Sequence, residues 1–211
     1  DRGLSWSAPQ EISDSSLWNH QPDVVAGQLP GEFSITWASG DAFSGYRQHV
    51  VRTSDNGASF TSSTRTQTFF EPGQGVVFPD IEMAGESPVI TWSGVDQVRD
   101  GRPNSWYAAK VDPVTLSWSE PAYLQTPYTT GPLSRRRPTS TGGQTVIAAG
   151  AQTSSSLEVP GPEIFVVRSD NGGTTWSEPN YIAENPKIYT HTPNVATDGS
   201  GTWIMMYFGG P

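Results

Sequence analysis

One turn recurs along this chain at a nearly constant spacing, and it limits the folds the chain can adopt. Ser169-Asp170-Asn171-Gly172-Gly173-Thr174-Thr175-Trp176 has the make-up of a tight turn leading into a strand. Asn and Gly tolerate positive φ, an Asx side chain can bond the amides of its own turn, and the Trp brings a large apolar surface to bury. Thr53-Ser54-Asp55-Asn56-Gly57-Ala58-Ser59-Phe60 has the same design, as does the opening Asp1-Arg2-Gly3-Leu4-Ser5-Trp6, and Thr115-Leu116-Ser117-Trp118 is a worn copy. The aromatics Trp6, Phe60, Trp118 and Trp176 follow one another at steps of 54, 58 and 58 residues. A hydroxyl precedes each: Ser5, Ser59, Ser117, Thr175. A fixed period of this size means repeated supersecondary units.

A second mark keeps the same period. Pro22, Pro79, Pro138 and Pro193 stand 57, 59 and 55 residues apart, and an apolar residue follows within two places of Pro22, Pro79 and Pro193. Pro is tolerated at a strand's first residue, where it need not donate, so each is expected to open a strand. Two further strands are expected in each unit before the turn: 33–37 and 48–52, 88–92 and 106–111, 145–149 and 163–168. A last strand follows each turn, at 59–66, 117–124 and 175–182, with another at 6–12. Four short strands per unit, polar turns between them and no helical periodicity lasting three turns predict an all-β chain. The 22 Gly, 18 Pro and 16% charged residues agree with that.

The repeated turn resembles the Asp box, or bacterial neuraminidase repeat, of the sialidase-like β-propellers, whose form is Ser/Thr-x-Asp-x-Gly-x-Thr-Trp/Phe. The copy at Thr53 to Phe60 fits it with Ser59 and Phe60 in the last two places, and the copy at Ser169 carries Asn171 for Asp. The resemblance implies a β-propeller of four-stranded antiparallel blades. The blade repeats would be 22–66, 79–124 and 138–182, with 1–12 and 193–211 as parts of another. Three whole blades and a fraction should not close a ring. The rest of a five- to seven-bladed ring is therefore expected from further residues or a second fragment. In this family the box braces a hairpin on the face away from the ligand, so its Asp and Trp residues are expected to be structural.

Charge and composition narrow the partners. A formal charge of −9 argues against nucleic acid or an anionic membrane. There is no cysteine and no stretch long and apolar enough to span a membrane. The chain begins at Asp1, consistent with a removed leader or an excised piece, and a secreted or periplasmic protein is expected from the family and the eight Trp. No metal-ligand spacing is strong, and no cofactor is expected. Calcium needs only backbone and carboxylate oxygens, so the sequence leaves a structural Ca²⁺ open.

The resemblance also implies where a site would lie: the loops leading into each innermost strand, and those joining the second strand to the third. Two residues before the recurring Pro stand His20, Val77, Arg136 and His191; one after it stand Asp23, Asp80, Thr139 and Asn194. Arg135, Arg136 and Arg137 form the one basic cluster. Arg grips a carboxylate or sulfate bidentately, so an anionic glycan would suit it. The plain alternative for these polar residues is hydrogen bonding between blades. Candidate catalytic residues are His191, Asp80, Glu163 and Tyr189. Candidate substrate-binding residues are His20, Asp23, Arg99, Arg102, Arg136, Arg137 and Trp106, the last as a stacking surface; Trp37 and Trp92 are expected in the core. The Phe/Tyr-Arg-Ile-Pro motif of sialidases does not occur in residues 1–211, and no Arg triad can be assigned. The expectation is a carbohydrate-active propeller, leaning to a glycoside hydrolase. The alternatives are a lectin-like module without catalysis and a polysaccharide lyase using His, Tyr and Arg.

Overall fold

A computed structural model describes residues 6–41, 45–66, 76–96, 102–124, 138–140, 143–153, 162–183 and 189–210, and all of its regular structure is β. The first sheet holds β1 (Trp18–Ala26), β2 (Phe33–Asp41), β3 (Gly45–Thr53) and β4 (Thr64–Arg65), antiparallel and in chain order. The second holds β5 (Val76–Ala84), β6 (Ser87–Asp96), β7 (Arg102–Lys110) and β8 (Ala122–Tyr123). The third holds β9 (Pro138–Ser140), β10 (Val146–Thr153), β11 (Pro162–Ser169) and β12 (Asn180–Ala183). A last pair, β13 (Tyr189–Thr197) and β14 (Trp203–Gly210), repeats the first two strands of a sheet.

The strands differ from the sequence expectation at both ends. The middle strands run further: β2 and β3 stay paired out to Asp41 and Gly45, so most of the polar stretch 39–47 belongs to a ladder. The fourth strands are shorter. β8 and β12 begin directly after Pro121 and Pro179, which have no N–H to give to a ladder. Residues 6–12 form no strand, and Trp6 is exposed. A fourth strand needs a third to pair with, and among the described residues no strand pairs with this segment.

The repeated turn builds itself from its own side chains. Ser59 donates to the Asp55 carboxylate through its amide at 2.9 Å and its hydroxyl at 2.6 Å, and Gly57 N donates to Thr53 Oγ1 at 3.0 Å. In the third sheet Asn171 does the same work: Thr175 N donates to its Oδ1 at 2.9 Å, its Nδ2 donates to Thr175 Oγ1 at 2.8 Å, and Gly173 N donates to Ser169 Oγ at 2.8 Å. Positive φ falls on Asn56 and Gly57 in one copy and on Gly172 and Gly173 in the other. The worn copy uses Asp112 instead, which accepts the amides of Val114 and Thr115.

The core lies between the sheets. Val50 of the first sheet packs with Ile81, Ile90, Trp92 and Tyr107 of the second. Trp106 and Ala108 of the second pack with Phe165 and Val167 of the third. The repeat aromatics cover these seams: Trp118 meets Trp92 edge to face at 6.3 Å and donates its Nε1 to Thr64 Oγ1 of the first sheet, while Trp176 packs against both clusters of the second and third sheets. Arg52 pins the first seam at its turn end, pairing with Glu32 at 2.7 Å and donating to the Pro113 carbonyl across the seam.

Candidate functional site

Three of the recurring Pro residues, Pro22, Pro79 and Pro193, sit inside their strands, while Pro138 is the first described residue of β9. In β1 the register jumps between His20, opposite Ala38, and Asp23, opposite Thr36; Gln21 and Pro22 together face Trp37. The same two-against-one bulge sets Phe78 and Pro79 against Trp92 and Thr192 and Pro193 against Tyr207. At Pro22, Pro79 and Pro193 this corrects the expectation that Pro opens the strand. A bulge leaves a residue without a ladder partner, which is where a residue lacking an N–H costs least. Gln21 takes the left-handed conformation at φ 54°, a strained state for a residue with a side chain. Bulges and backbone strain are both over-represented next to functional sites.

The innermost strands adjoin in the order β1, β5, β9, β13, so the bulges of β1 and β5 lie side by side at one end of the array. His20 stands half-buried just before the first bulge. Asp23 stands just after it, and its Oδ2 accepts the Ile81 amide of the second sheet at 3.0 Å. Asp80, at the equivalent place in β5, is buried. Two residues on, Glu82 is half-buried and accepts the Met83 amide at 2.9 Å; burial, with the nearby Asp23 charge, raises its pKa. Sequence reasoning passed over Glu82, although its place on the strand face of Asp80 was a signal.

Other candidates fall elsewhere. Trp106 is fully buried against Phe165 at 5.8 Å, so it is core and cannot present a face to a sugar at the surface. Its alternation with Tyr107 on a strand buried on both faces hid that role. Trp37 and Trp92 are in the core. The backbones of Arg102, Glu163, Tyr189 and His191 lie in β7, β11 and β13, opposite Asp96, Gln152, Gly210 and Phe208, and their side chains are outside the description. Arg99, Arg136 and Arg137 lie outside the described residues. β5 and β9 stand between β1 and β13, and among the described residues no three His, Asp or Glu side chains gather as metal ligands would.

His49 of β3 stacks on Trp37 at 5.2 Å and 19°. Burial, then the positive charges of Arg65 and Arg47, push its pKa down to about 4, so it is neutral near pH 7. At the opposite end of the first seam, a cleft of about 250 Å³ is lined by Leu29, Glu32, Arg52, Met83, Glu86 and Pro113, among others.

The solved structures similar to this chain share one architecture. The Hadza microbial sialidase Hz136 superposes with a TM-score of 0.62 at 17% identity, over 90% of this chain and 44% of that one. The chain has the fold of a sialidase-like β-propeller. A Trypanosoma rangeli sialidase in complex with sialic acid matches this propeller chain with a TM-score of 0.60 at 14% identity, over 89% of it and 33% of the sialidase. The Penicillium chrysogenum alpha-L-arabinanase complexed with arabinobiose matches with a TM-score of 0.56 at 12% identity, over 92% of the chain and 58% of the arabinanase. The propeller chain thus spans less than two thirds of the length of each of these structures. No protein-family model and no curated protein matches it by sequence.

Proposed function

We propose that this chain is part of a secreted or periplasmic propeller that binds and cleaves a glycan at the bulged end of its inner strands. The observation that carries the reading is the pair of Pro bulges on adjoining β1 and β5, which brings His20, Asp23, Asp80 and Glu82 to neighbouring strands of a fold shared with sialidases and an arabinanase. Glycoside hydrolysis needs one carboxyl kept protonated and a second ionised, with the two about 5–10 Å apart. Glu82, with its raised pKa, suits the acid. Asp80 and Glu163 are the carboxylates for the other role, with His191 and Tyr189 on β13 as proton carriers. His20, Asp23, Arg99, Arg102, Arg136 and Arg137 would orient the sugar.

Further blades complete the site in this reading. Val24, on the outer face of the first sheet, is 57% exposed, while its equivalent Ile81 is 6% exposed. On the outer face of β14, Ile204 and Met206 are exposed where Val89 and Thr91 of the second sheet are buried. Native mass spectrometry of the purified protein should find this chain within a larger assembly or a longer polypeptide. Hydrolysis is tested by incubating that material with sialylated and arabinan oligosaccharides and following release of reducing ends. Failure to cleave any of them, with binding retained, would favour the lectin-like reading. The cleft beside Leu29 and Arg52 in the first seam supports that alternative, because a lectin would bind between blades.

A further inference from the structure

Gln48 of β3 is fully buried, and neither its Oε1 nor its Nε2 has a hydrogen-bond partner among the described residues. Side chains two apart on a strand share a face, so Gln48 points the same way as Val50, into the seam with the second sheet. Trp92 lines the other side of that seam, and its buried Nε1–H also lacks a partner. A partnerless buried amide and a partnerless buried indole N–H in one interface both lower stability.

The fold does not need a polar group there. One period on, the place of Gln48 is taken by Trp106, and two periods on by Ile164; both are fully buried, Ile164 wholly apolar and Trp106 apolar but for its indole N–H. The hydrogen bond that Thr66 N makes to Gln48 O at 3.0 Å recurs as Leu124 N to Trp106 O at 2.9 Å, which fixes the equivalence. Only the first seam carries an amide at this level. The level itself is that of the candidate site: His20, Ala38 and Gln48 are register neighbours across β1, β2 and β3. Ala38, between the two polar side chains, is fully buried like Gln48, and the hairpin end at Asp41 and Gly45 is three residues from Gln48.

We propose that Gln48 and Trp92 form a hydrogen-bonding subsite for a vicinal diol, entered from the hairpin end of the first seam. An amide offers one donor edge and one acceptor edge side by side, which matches two adjacent hydroxyls. The indole N–H donates to one of those oxygens. This assignment rests on the reading of the bulged end as a carbohydrate site, and it names Gln48 as a specificity-determining residue within it.

The test is an NMR titration of the ¹⁵N-labelled protein in its native assembly, with arabinobiose, sialic acid and glycerol as probes. The Trp92 indole resonance is assigned through Trp92→Phe, and the Gln48 side-chain amide through Gln48→Leu. Saturable shifts of both resonances with at least one probe are expected, and Gln48→Leu should abolish the indole shift while raising Tm by about 2–4 °C. Gln48→Met serves as a second variant of similar volume. Resonances that no probe moves, or an indole shift that persists unchanged in Gln48→Leu, would overturn the subsite, and an amide that merely packs on the Trp92 and Tyr107 rings gives that result. A saturable shift without hydrolysis of any glycan would keep the subsite and sink the hydrolase reading. Hydrolysis untouched by Gln48→Leu would do the reverse.

Discussion

The carboxylate of Asp23 accepts the backbone amide hydrogen of Ile81, 3.0 Å away on the neighbouring sheet. A side chain placed by a bulge in one sheet thus satisfies the backbone beside a bulge in the next. Removing it strands a part-buried N–H. Asp23→Ala should therefore cost about 1–3 kcal/mol. Urea unfolding of the two proteins checks this, and an unchanged midpoint would mean that water replaces the carboxylate at no cost.

His49 predicts a pH dependence with a definite sign. Its folded pKa of about 4 lies below the ordinary value of 6.5. The unfolded chain therefore takes up the proton first as pH falls. Stability from the neutral imidazole is complete above pH 6.5 and is lost between 6.5 and about 4. After discounting for partial exposure, the loss is about 2 kcal/mol. His49→Phe keeps the stack on Trp37 and should flatten that part of the stability–pH curve.

The repeated turn makes a prediction about charge. Asp55 is held by the Ser59 hydroxyl and amide and by Thr53, and its pKa is lowered to about 2. Its contribution is present above the ordinary carboxylate pKa and disappears as pH falls through about 2. The third sheet makes an equivalent turn with a neutral Asn171. Asp55→Asn should thus melt close to the parent, and Asp55→Ala clearly lower. Equal losses in the two variants would mean that charge, not bonding shape, holds the turn.

Gly173 is required twice over. Its φ is +84°, and a Cβ there would lie 2.8 Å and 2.9 Å from the two methyls of Val89 on the neighbouring sheet. Gly173→Ala should cost about 2–4 kcal/mol from strain and overpacking together. Gly201 has φ +104° and nothing within 4 Å, so Gly201→Ala isolates the backbone share, about 1 kcal/mol. Thermal melts of both variants measure the difference, and equal losses would remove the Val89 clash from the account.

The architecture was legible because turns impose strict chemistry. Asp or Asn with Gly three residues before an aromatic is hard to replace, so the period of 58 survives even where Thr115 to Trp118 has lost the Gly. The Pro positions were legible, but their meaning was not. Sequence spacing cannot separate a strand's first residue from a bulge inside it, because either place spares the missing N–H. The hairpin ends misled for a related reason: Ser39 and Arg47 are polar, yet ladder bonds hold them in strands whatever their polarity. Trp106 and Gln48 occupy equivalent places, and neither residue type declares its burial. Only the packing of one sheet on the next puts the indole in the core and leaves the amide unmatched.

The bulges separate two jobs along β1, β5 and β13. A one-residue change of register would normally turn every following side chain to the opposite face. Here two residues already share the space of one, at Gln21 and Pro22 and again at Phe78 and Pro79. The joint takes up such a mismatch before it reaches Val25 or Ile81 in the packed seam. Residues on the loop side of each Pro are therefore free to vary in length and chemistry without disturbing the core below. Exchanging loops between such chains at these prolines would change what the open end recognises while leaving the sheets in register.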